Sequence, residues 1–252
     1  MAFSFEHVSS GLPSLSSSLG KECLLQWHLD DSSLHVSTYR IFGPLSRSSK
    51  GEDYELLIRD FVASSAFRSQ VIATGSCRIP VSIETTPLRT SVMSMSFFER
   101  LKGSDVVSSA GNIRGCFEES YEGILVNDLL RDMVINPDSE NNYLFSSQDK
   151  EQLIYCIFRM LVIGGGGLCQ PDTDLTRYLD LTKAIYKDIL TICKSSQTNE
   201  VEIISKAFHL NSVAGVELYP KAPDNSCNST IIVIDSIQKN VTVLQHAMNK
   251  FW

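Results

Sequence analysis

Two amphipathic helical segments between Gln148 and Cys193 constrain the fold of this chain more than any other stretch. In the first, apolar residues recur at spacings of three and four, which places them on one helical face: Leu153, Ile154, Ile157, Phe158 and Leu161. The second repeats this pattern and carries charged residues on its other side: Leu175, Tyr178, Leu179, Thr182, Ile185, Tyr186 and Ile189. We therefore predict a helix pair, joined through Gly164 to Pro171, as the nucleus of the fold.

The other segments predict a mixture of strands and helices. Leu34 to Phe42 alternates as a strand does, whereas Glu52 to Val62 and Ile124 to Met133 read as helices. Two β-branched runs, Ile231 to Ile234 and Val241 to Leu244, indicate a hairpin. The predicted class is α+β, with the central amphipathic helix pair packed on an antiparallel sheet that includes this C-terminal hairpin.

The domain organisation follows from length and from the N-terminal composition. A chain of 252 residues with 43% hydrophobic content fits a single domain, 1–252. Ser9 to Ser18 is rich in serine and includes Gly11 and Pro13, so we expect no regular element there and a flexible segment over 1–20.

Charge and cysteine content bear on partners and compartment. A formal charge of −7 and a pI near 5.3 argue against nucleic acid or a membrane surface as the main partner, and favour proteins. The seven cysteines show no C-x-x-C spacing, which is typical of reduced, buried thiols in the cytoplasm. Met1 to Val8 lacks the pattern of a secretory signal.

The motifs of catalysis and cofactor binding do not occur in the sequence. The run Gly164 to Gly167 closes a helix and lacks a following lysine, which favours a helix stop or close backbone contact over a phosphate loop. G-x-S-x-G and H-E-x-x-H are absent, and Asp172 with Asp174 fits a helix cap better than a calcium loop. We assign no catalytic, cofactor-binding or metal-binding residue. A cysteine nucleophile stays open, since seven cysteines and five histidines allow many pairings in space.

A cluster of Met and Phe residues between Met93 and Leu101 is the candidate contact surface. Such a cluster more often fills a core, although Met and Phe also adapt well to partner surfaces. Together with the glycine turn it supplies the candidate protein-binding residues: Met95, Phe97, Phe98, Leu168 and Gln170.

Several stretches of the chain resemble the cilia- and flagella-associated protein 300 family. They occur in the expected order and run from Ser94-Met95-Ser96-Phe97-Phe98-Glu99-Arg100-Leu101 through Leu144-Phe145-Ser146, Leu168-Cys169-Gln170 and Ile185-Tyr186-Lys187-Asp188 to Ile232-Val233-Ile234-Asp235. The likeness covers most of the chain from Met93 to Leu244, with Leu25-Gln26-Trp27 before it.

This resemblance implies a non-enzymatic protein of motile cilia and flagella, cytoplasmic and axonemal. It implies a role in assembling or delivering outer and inner dynein arms, with dynein preassembly factors and intraflagellar transport proteins as partners and no cofactor. Two other classes stay open: a divergent cysteine-dependent hydrolase or transferase, and a structural component bound permanently to the axoneme.

Overall fold

The computed structural model describes residues 2–71, 83–121, 123–166, 171–194, 200–213 and 225–248. The helices are α1 (Pro13–Ser16), α2 (Ser18–Gln26), α3 (Gly51–Ala63), α4 (Ser65–Val71), α5 (Leu129–Ile135), α6 (Ser147–Lys150), α7 (Leu153–Ile163) and α8 (Leu175–Ile189). The strands are β1 (Ser4–Ser10), β2 (Leu34–Phe42), β3 (Ile83–Leu88), β4 (Gly115–Tyr121), β5 (Ile124–Asp128), β6 (Ile192–Lys194), β7 (Val201–Ile203), β8 (Lys206–Val213), β9 (Ser229–Asp235) and β10 (Asn240–His246). Two 3₁₀ helices span Met95–Leu101 and Asn142–Leu144.

The chain divides into two compact units. The first comprises residues 1–11, 35–90 and 189–246, and the second comprises 12–34, 91–188 and 247–252. The predicted class is confirmed, because the molecule combines helices with a large antiparallel sheet. The single domain 1–252 stays a prediction, as does the packing of the helix pair on the sheet.

The first unit is built on a sheet whose six described strands lie in the order β1-β2-β10-β9-β8-β3. The predicted strand Leu34–Phe42 and the C-terminal hairpin are confirmed: β9 pairs antiparallel with β10, and Asp235 lies opposite Asn240. In the hairpin turn, Asp235 Oδ1 accepts hydrogen bonds from the backbone N–H groups of Ile237 at 2.7 Å and Gln238 at 2.9 Å. Because the Asp235 side chain accepts these backbone N–H groups, the hairpin can use a loop of more than two residues.

Helix α3 covers the sheet within this unit. Its apolar face, which includes Leu57, Ile58 and Phe61, packs into one cluster with Tyr39 of β2 and Ile232 of β9. Lys50 and Asp53 form the capping interactions at its N-terminus. The predicted helix Glu52 to Val62 is thus confirmed, and its spacing correctly indicated a buried face.

The second unit contains α7 and α8, the helix pair predicted from the sequence. Nine residues of α7 are buried, so this helix is covered on nearly all sides rather than on one face. Gly164, at φ 73°, ends α7 and donates its N–H to the carbonyl of Met160. Asp174 caps α8 by accepting the N–H of Thr176 at 2.8 Å, which confirms the predicted cap.

Three expectations about local structure are wrong. The serine-rich start is not free of regular elements, because β1 pairs with β2 from Ser4 to Ser10 and α1 begins at Pro13. The segment Ile124 to Met133 is not one helix, since it is a strand up to Asp128 and a helix after it. The sequence also offers Ser146 or Ser147 as the cap of the first helix of the pair, but Ser146 caps only the short helix α6, and α7 begins separately at Leu153.

The sequence also predicts two short strands, Val71 to Cys77 and Arg78 to Thr85, which fall largely outside the described residues. Val71 ends α4, and Ile83 begins β3. Within the described part of the chain, none of the helices combines the length and apolar character needed to cross a bilayer.

Candidate interaction surface

The Met and Phe segment predicted as a contact surface forms the 3₁₀ helix Met95–Leu101. Ser94 caps it by accepting the N–H of Ser96 at 3.1 Å. Residues three apart eclipse one another in a 3₁₀ helix, and accordingly Phe98 and Leu101 both point inward, at 1% and 0% exposure. Met95 and Phe97 are half-buried and reach solvent.

Phe98 lies in an aromatic cluster of the second unit. Its ring centroid is 4.7 Å from that of Phe158 and 4.9 Å from that of Phe97. Phe145 contacts the same group, at 6.0 Å from Phe98 and 5.0 Å from Tyr155. The sequence favoured a role in the core for the Met and Phe cluster, and Phe98 has that role. It packs beneath the exposed part of the segment.

Arg100 fixes the outer part of this segment. Its guanidinium lies 5.2 Å from the centroid of the Phe97 ring and 5.0 Å from that of Phe145. The same group forms an ion pair with Asp149 at 2.6 Å and donates a hydrogen bond to the carbonyl of Leu144 at 3.1 Å. An arginine held by two rings and a carboxylate loses much of its freedom before any partner arrives.

Asp149 is ionised in this arrangement. Burial by itself would raise its pKa, but hydrogen bonds from Ser146 and the charge of Arg100 outweigh burial and lower the pKa. The carboxylate therefore serves both the cap of α6 and the ion pair with Arg100. We call Met95, Phe97 and Arg100 the Phe97 surface. Its contact with a partner stays a prediction, and Leu168 and Gln170 lie outside the described residues.

The glycine turn after α7 makes close backbone contacts within the second unit. The N–H of Gly165 donates to the carbonyl of Trp27 at 2.9 Å, and a Cβ on Gly165 would lie 1.6 Å from the carbonyl oxygen of His28. The amides of Gly164 and Gly165 are thus used by protein carbonyls. Both roles predicted for the run, helix stop and close backbone approach, are confirmed.

Sequence reasoning missed a charge network at the start of α8. Arg177 forms ion pairs with Asp172 at 2.9 Å and Glu22 at 3.0 Å, and donates to Gln26 Oε1 at 2.8 Å. Next to it, Trp27 stacks on Tyr178 at 4.3 Å between ring centroids. The Leu25-Gln26-Trp27 stretch was a weak signal of this site, but no periodicity links α2 to α8.

Four of the five cysteines within the described residues, Cys23, Cys116, Cys156 and Cys227, show little of the character of a nucleophile. Burial raises the pKa of Cys23 and Cys116, and raises the pKa of Cys156 to about 12. These three thiols are protonated near neutral pH, whereas the thiolate is the reactive form. His246 Nδ1 lies 3.1 Å from the backbone carbonyl of Cys227, but both residues have 0% exposure, which leaves a substrate no access from solvent. Among the described residues no group of three or more metal-ligating side chains is present.

Fold and surface together define an α+β protein that presents aromatic side chains to solvent. The family model described as "Cilia- and flagella-associated protein 300" matches residues 2–246. The chain belongs to this family, as the resemblance predicted, and is therefore a protein associated with cilia and flagella.

Curated relatives bear the same name. The "Cilia- and flagella-associated protein 300" of Chlamydomonas reinhardtii is 31% identical over 208 residues, which cover 78% of this chain and 79% of the relative. That of Paramecium tetraurelia is 29% identical over 170 residues, covering 68% and 65%. No solved structure matches the chain.

Proposed function

We propose that this protein acts without catalysis in the assembly or transport of outer and inner axonemal dynein arms, and thereby in ciliary motility. It works by binding proteins, with dynein preassembly factors and intraflagellar transport proteins as partners. It is located in the cytoplasm and at the axoneme of the cilium or flagellum. The match to the family over residues 2–246 is the observation that carries the proposal.

The state of the thiols supports the non-enzymatic part of the proposal. A cysteine hydrolase or transferase needs a thiolate that its substrate can reach. Burial keeps Cys23, Cys116 and Cys156 protonated, and Cys227 is closed to solvent. These four thiols therefore do not support the cysteine chemistry considered from the sequence.

The Phe97 surface supports the protein-binding part. Phe97 is half-buried, packed on Phe98 and Phe145, and Arg100 is held above it. Aromatic and arginine side chains dominate the energetics of many interfaces, and prior ordering lowers the entropic cost of binding. A partner docking here would meet a surface that is already rigid.

A deletion strain of a motile ciliated or flagellated cell tests the role in dynein arm assembly. Electron microscopy of cross-sections and quantification of axonemal dynein heavy chains are expected to show loss of both outer and inner arms, with loss of motility. Expression of the intact chain should restore both. Axonemes with unchanged dynein content would contradict the proposal.

The surface is tested in the same strain with Phe97→Asp. We expect normal protein levels but no rescue of dynein arms, because a carboxylate would replace the exposed ring. Phe42→Asp is the matched control, since Phe42 is also a partly exposed aromatic residue, at 47%, in the first unit. If Phe97→Asp restores the arms as well as the control does, the Phe97 surface is not the contact site.

A further inference from the structure

The strand β4 is exposed to solvent on both faces. Every residue from Gly115 to Tyr121 is half-buried or exposed, and the side chain of Phe117 is 94% exposed. Its neighbour β5 behaves differently, because Ile124 and Val126 are buried at 1% and 3% exposure. Strand β5 therefore anchors the hairpin, while β4 stands outside the core that β5 contacts.

One edge of β4 borders no other strand among the described residues, since β4 and β5 form a two-stranded sheet. The register shifts between Gly115 and Glu119, so the intervening residues, Phe117 included, have no Cα partner on β5. Seven residues at about 3.3 Å each give an edge of about 23 Å. That length suits the addition of one further strand of ordinary size.

The charge of the hairpin restricts what can pair with this edge. Residues 115–128 include four acidic residues and no lysine, arginine or histidine. Glu118 and Glu119, next to Phe117, are both exposed. A second copy of β4 would place carboxylates opposite carboxylates, which destabilises a strand pair, whereas basic side chains opposite them would stabilise it. The occupant that fits is therefore a basic segment and not a second β4 strand.

We propose that the open edge of β4 binds an extended segment of a partner protein that carries lysine or arginine beside a large apolar residue. The segment adds a third strand to the hairpin. Its apolar side chain covers Phe117, and its basic side chains pair with Glu118 and Glu119. The inference rests on the proposed function, in which the protein acts by binding other proteins, and specifies the chemistry of one partner.

Selection from a display library of random short peptides tests the chemistry, with the purified full chain as bait. Peptides in which a large apolar residue stands next to two consecutive basic residues are expected to be enriched, because Phe117, Glu118 and Glu119 follow one another along β4. The selected peptides should bind Glu118→Lys/Glu119→Lys about tenfold more weakly, because two favourable charge pairs become repulsive. Glu55→Lys/Glu140→Lys makes the same charge change at exposed positions elsewhere and should leave affinity unchanged.

Three results would overturn the inference. One is enrichment of acidic or purely polar peptides, and another is equal binding of the selected peptides to both double variants. The third is a dimer of the intact chain in light scattering that becomes a monomer in Phe117→Ser, since the occupant would then be a second copy.

Rescue of the deletion strain separates this inference from the proposed function. If the strain lacks dynein arms and Glu118→Lys/Glu119→Lys restores them fully, the β4 edge is not used, but the proposed function stands. If the deletion leaves dynein arms intact, the proposed function fails regardless of any peptide that β4 binds. Loss of rescue by this variant, with full rescue by Glu55→Lys/Glu140→Lys, supports both.

Discussion

At the scale of single residues, Gly165 is the glycine, among those the structure describes, at which an added side chain would come closest to another atom. Its amide donates to the carbonyl of Trp27, and the backbone at His28 occupies the space that a side chain would need. The obstacle is backbone, which cannot rotate aside as a flexible side chain can. Gly164 and Gly166, at φ 73° and 131°, hold the chain on either side of this contact.

We expect Gly165→Ala to lower the free energy of unfolding by about 3 kcal/mol or more, because a methyl group 1.6 Å from the carbonyl oxygen of His28 forces the two segments apart. Denaturant unfolding followed by near-ultraviolet circular dichroism measures this. Gly51→Ala is the control, since no atom lies within 4 Å of its Cβ, and its stability should change by less than about 0.5 kcal/mol. Equal stability of both variants would contradict the close contact.

Phe97 and Phe98 are adjacent in the sequence, but we expect their replacement by alanine to lower the free energy of unfolding by different amounts. Phe98→Ala is expected to destabilise the protein by about 3–5 kcal/mol, because it empties a site packed by Phe145 and Phe158. Phe97→Ala should lower the free energy of unfolding by only about 1 kcal/mol, since the Phe97 side chain is only partly buried in the folded protein. Unfolding midpoints of the two purified variants test the difference. A larger loss of stability for Phe97→Ala than for Phe98→Ala would show that Phe97, and not Phe98, is the buried residue.

At the scale of elements, Asp128 decides where β5 ends and α5 begins. Its Oδ1 accepts the N–H of Arg131 at 2.8 Å, which caps the helix. Its Oδ2 is buried without a hydrogen bond from any described residue. Burial raises the pKa of Asp128, against the opposing effects of the Arg131 amide and guanidinium. The Asp128 side chain thus stabilises the start of α5 through its hydrogen bond, whereas burial of its negative charge lowers the stability of the protein.

The raised pKa fixes the sign of a pH prediction. A carboxyl with a raised pKa contributes most to stability below its ordinary pKa of 3.8, and that contribution is lost as pH rises through the raised value. Asp128→Asn keeps the hydrogen-bond acceptor but removes the negative charge. At neutral pH this variant should therefore be as stable as the wild type or more stable, by up to about 1 kcal/mol. Near pH 3, where the wild-type carboxyl is also neutral, the difference should disappear.

Asp128→Ala is the comparison variant for this prediction. It removes the cap and should be about 1 kcal/mol less stable than Asp128→Asn at either pH. Urea unfolding at both pH values measures the two variants together. If Asp128→Asn is the less stable protein at neutral pH, the charge of Asp128 is needed to balance Arg131.

At the scale of the whole molecule, neither unit is a continuous piece of chain. The second unit combines 12–34 with 91–188, and the contacts of Trp27 with Gly165 and Tyr178 join the two pieces. In the first unit, β10, near the end of the chain, lies between β2 and β9. Each unit therefore depends on residues that are far apart in sequence.

A fragment of residues 91–188 is expected not to fold alone, because it lacks Trp27 and the partners of Arg177 in α2. It should show weak near-ultraviolet circular dichroism and no cooperative thermal transition. Addition of a synthetic peptide of residues 12–34 should restore both signals, whereas the same peptide with Trp27→Ala should not. Cooperative folding of the fragment without any peptide would contradict this dependence.

The parts of the fold that could be predicted are those with strong local patterns. The alternation of Leu34–Phe42 reflects two faces that are buried to different extents, and the β-branched runs of the C-terminal hairpin suit strands that are buried on both faces, so each strand could be identified from its own residues. The start of α8 and the end of α7 follow from Asp174 and Gly164, which act within a turn of their own position.

The errors arose where distant contacts decide the structure. Three of the seven residues of β1 are serines, which are not strong strand formers, yet pairing with β2 holds the segment extended. The apolar spacing in Ile124 to Met133 suits a helix throughout, but burial of Ile124 and Val126 and the cap at Asp128 divide it. The Arg177 network joins residues about 150 positions apart, which no local pattern encodes.

The segment 12–34 has a consequence for synthesis on the ribosome. Trp27 leaves the exit tunnel long before Tyr178, and at about 5–20 residues per second the intervening stretch takes on the order of ten seconds or more to translate. During that interval a large indole has no aromatic partner to stack on. Nascent chains are therefore expected to need a holding chaperone, and premature termination anywhere before α8 should yield products that are degraded rather than accumulated.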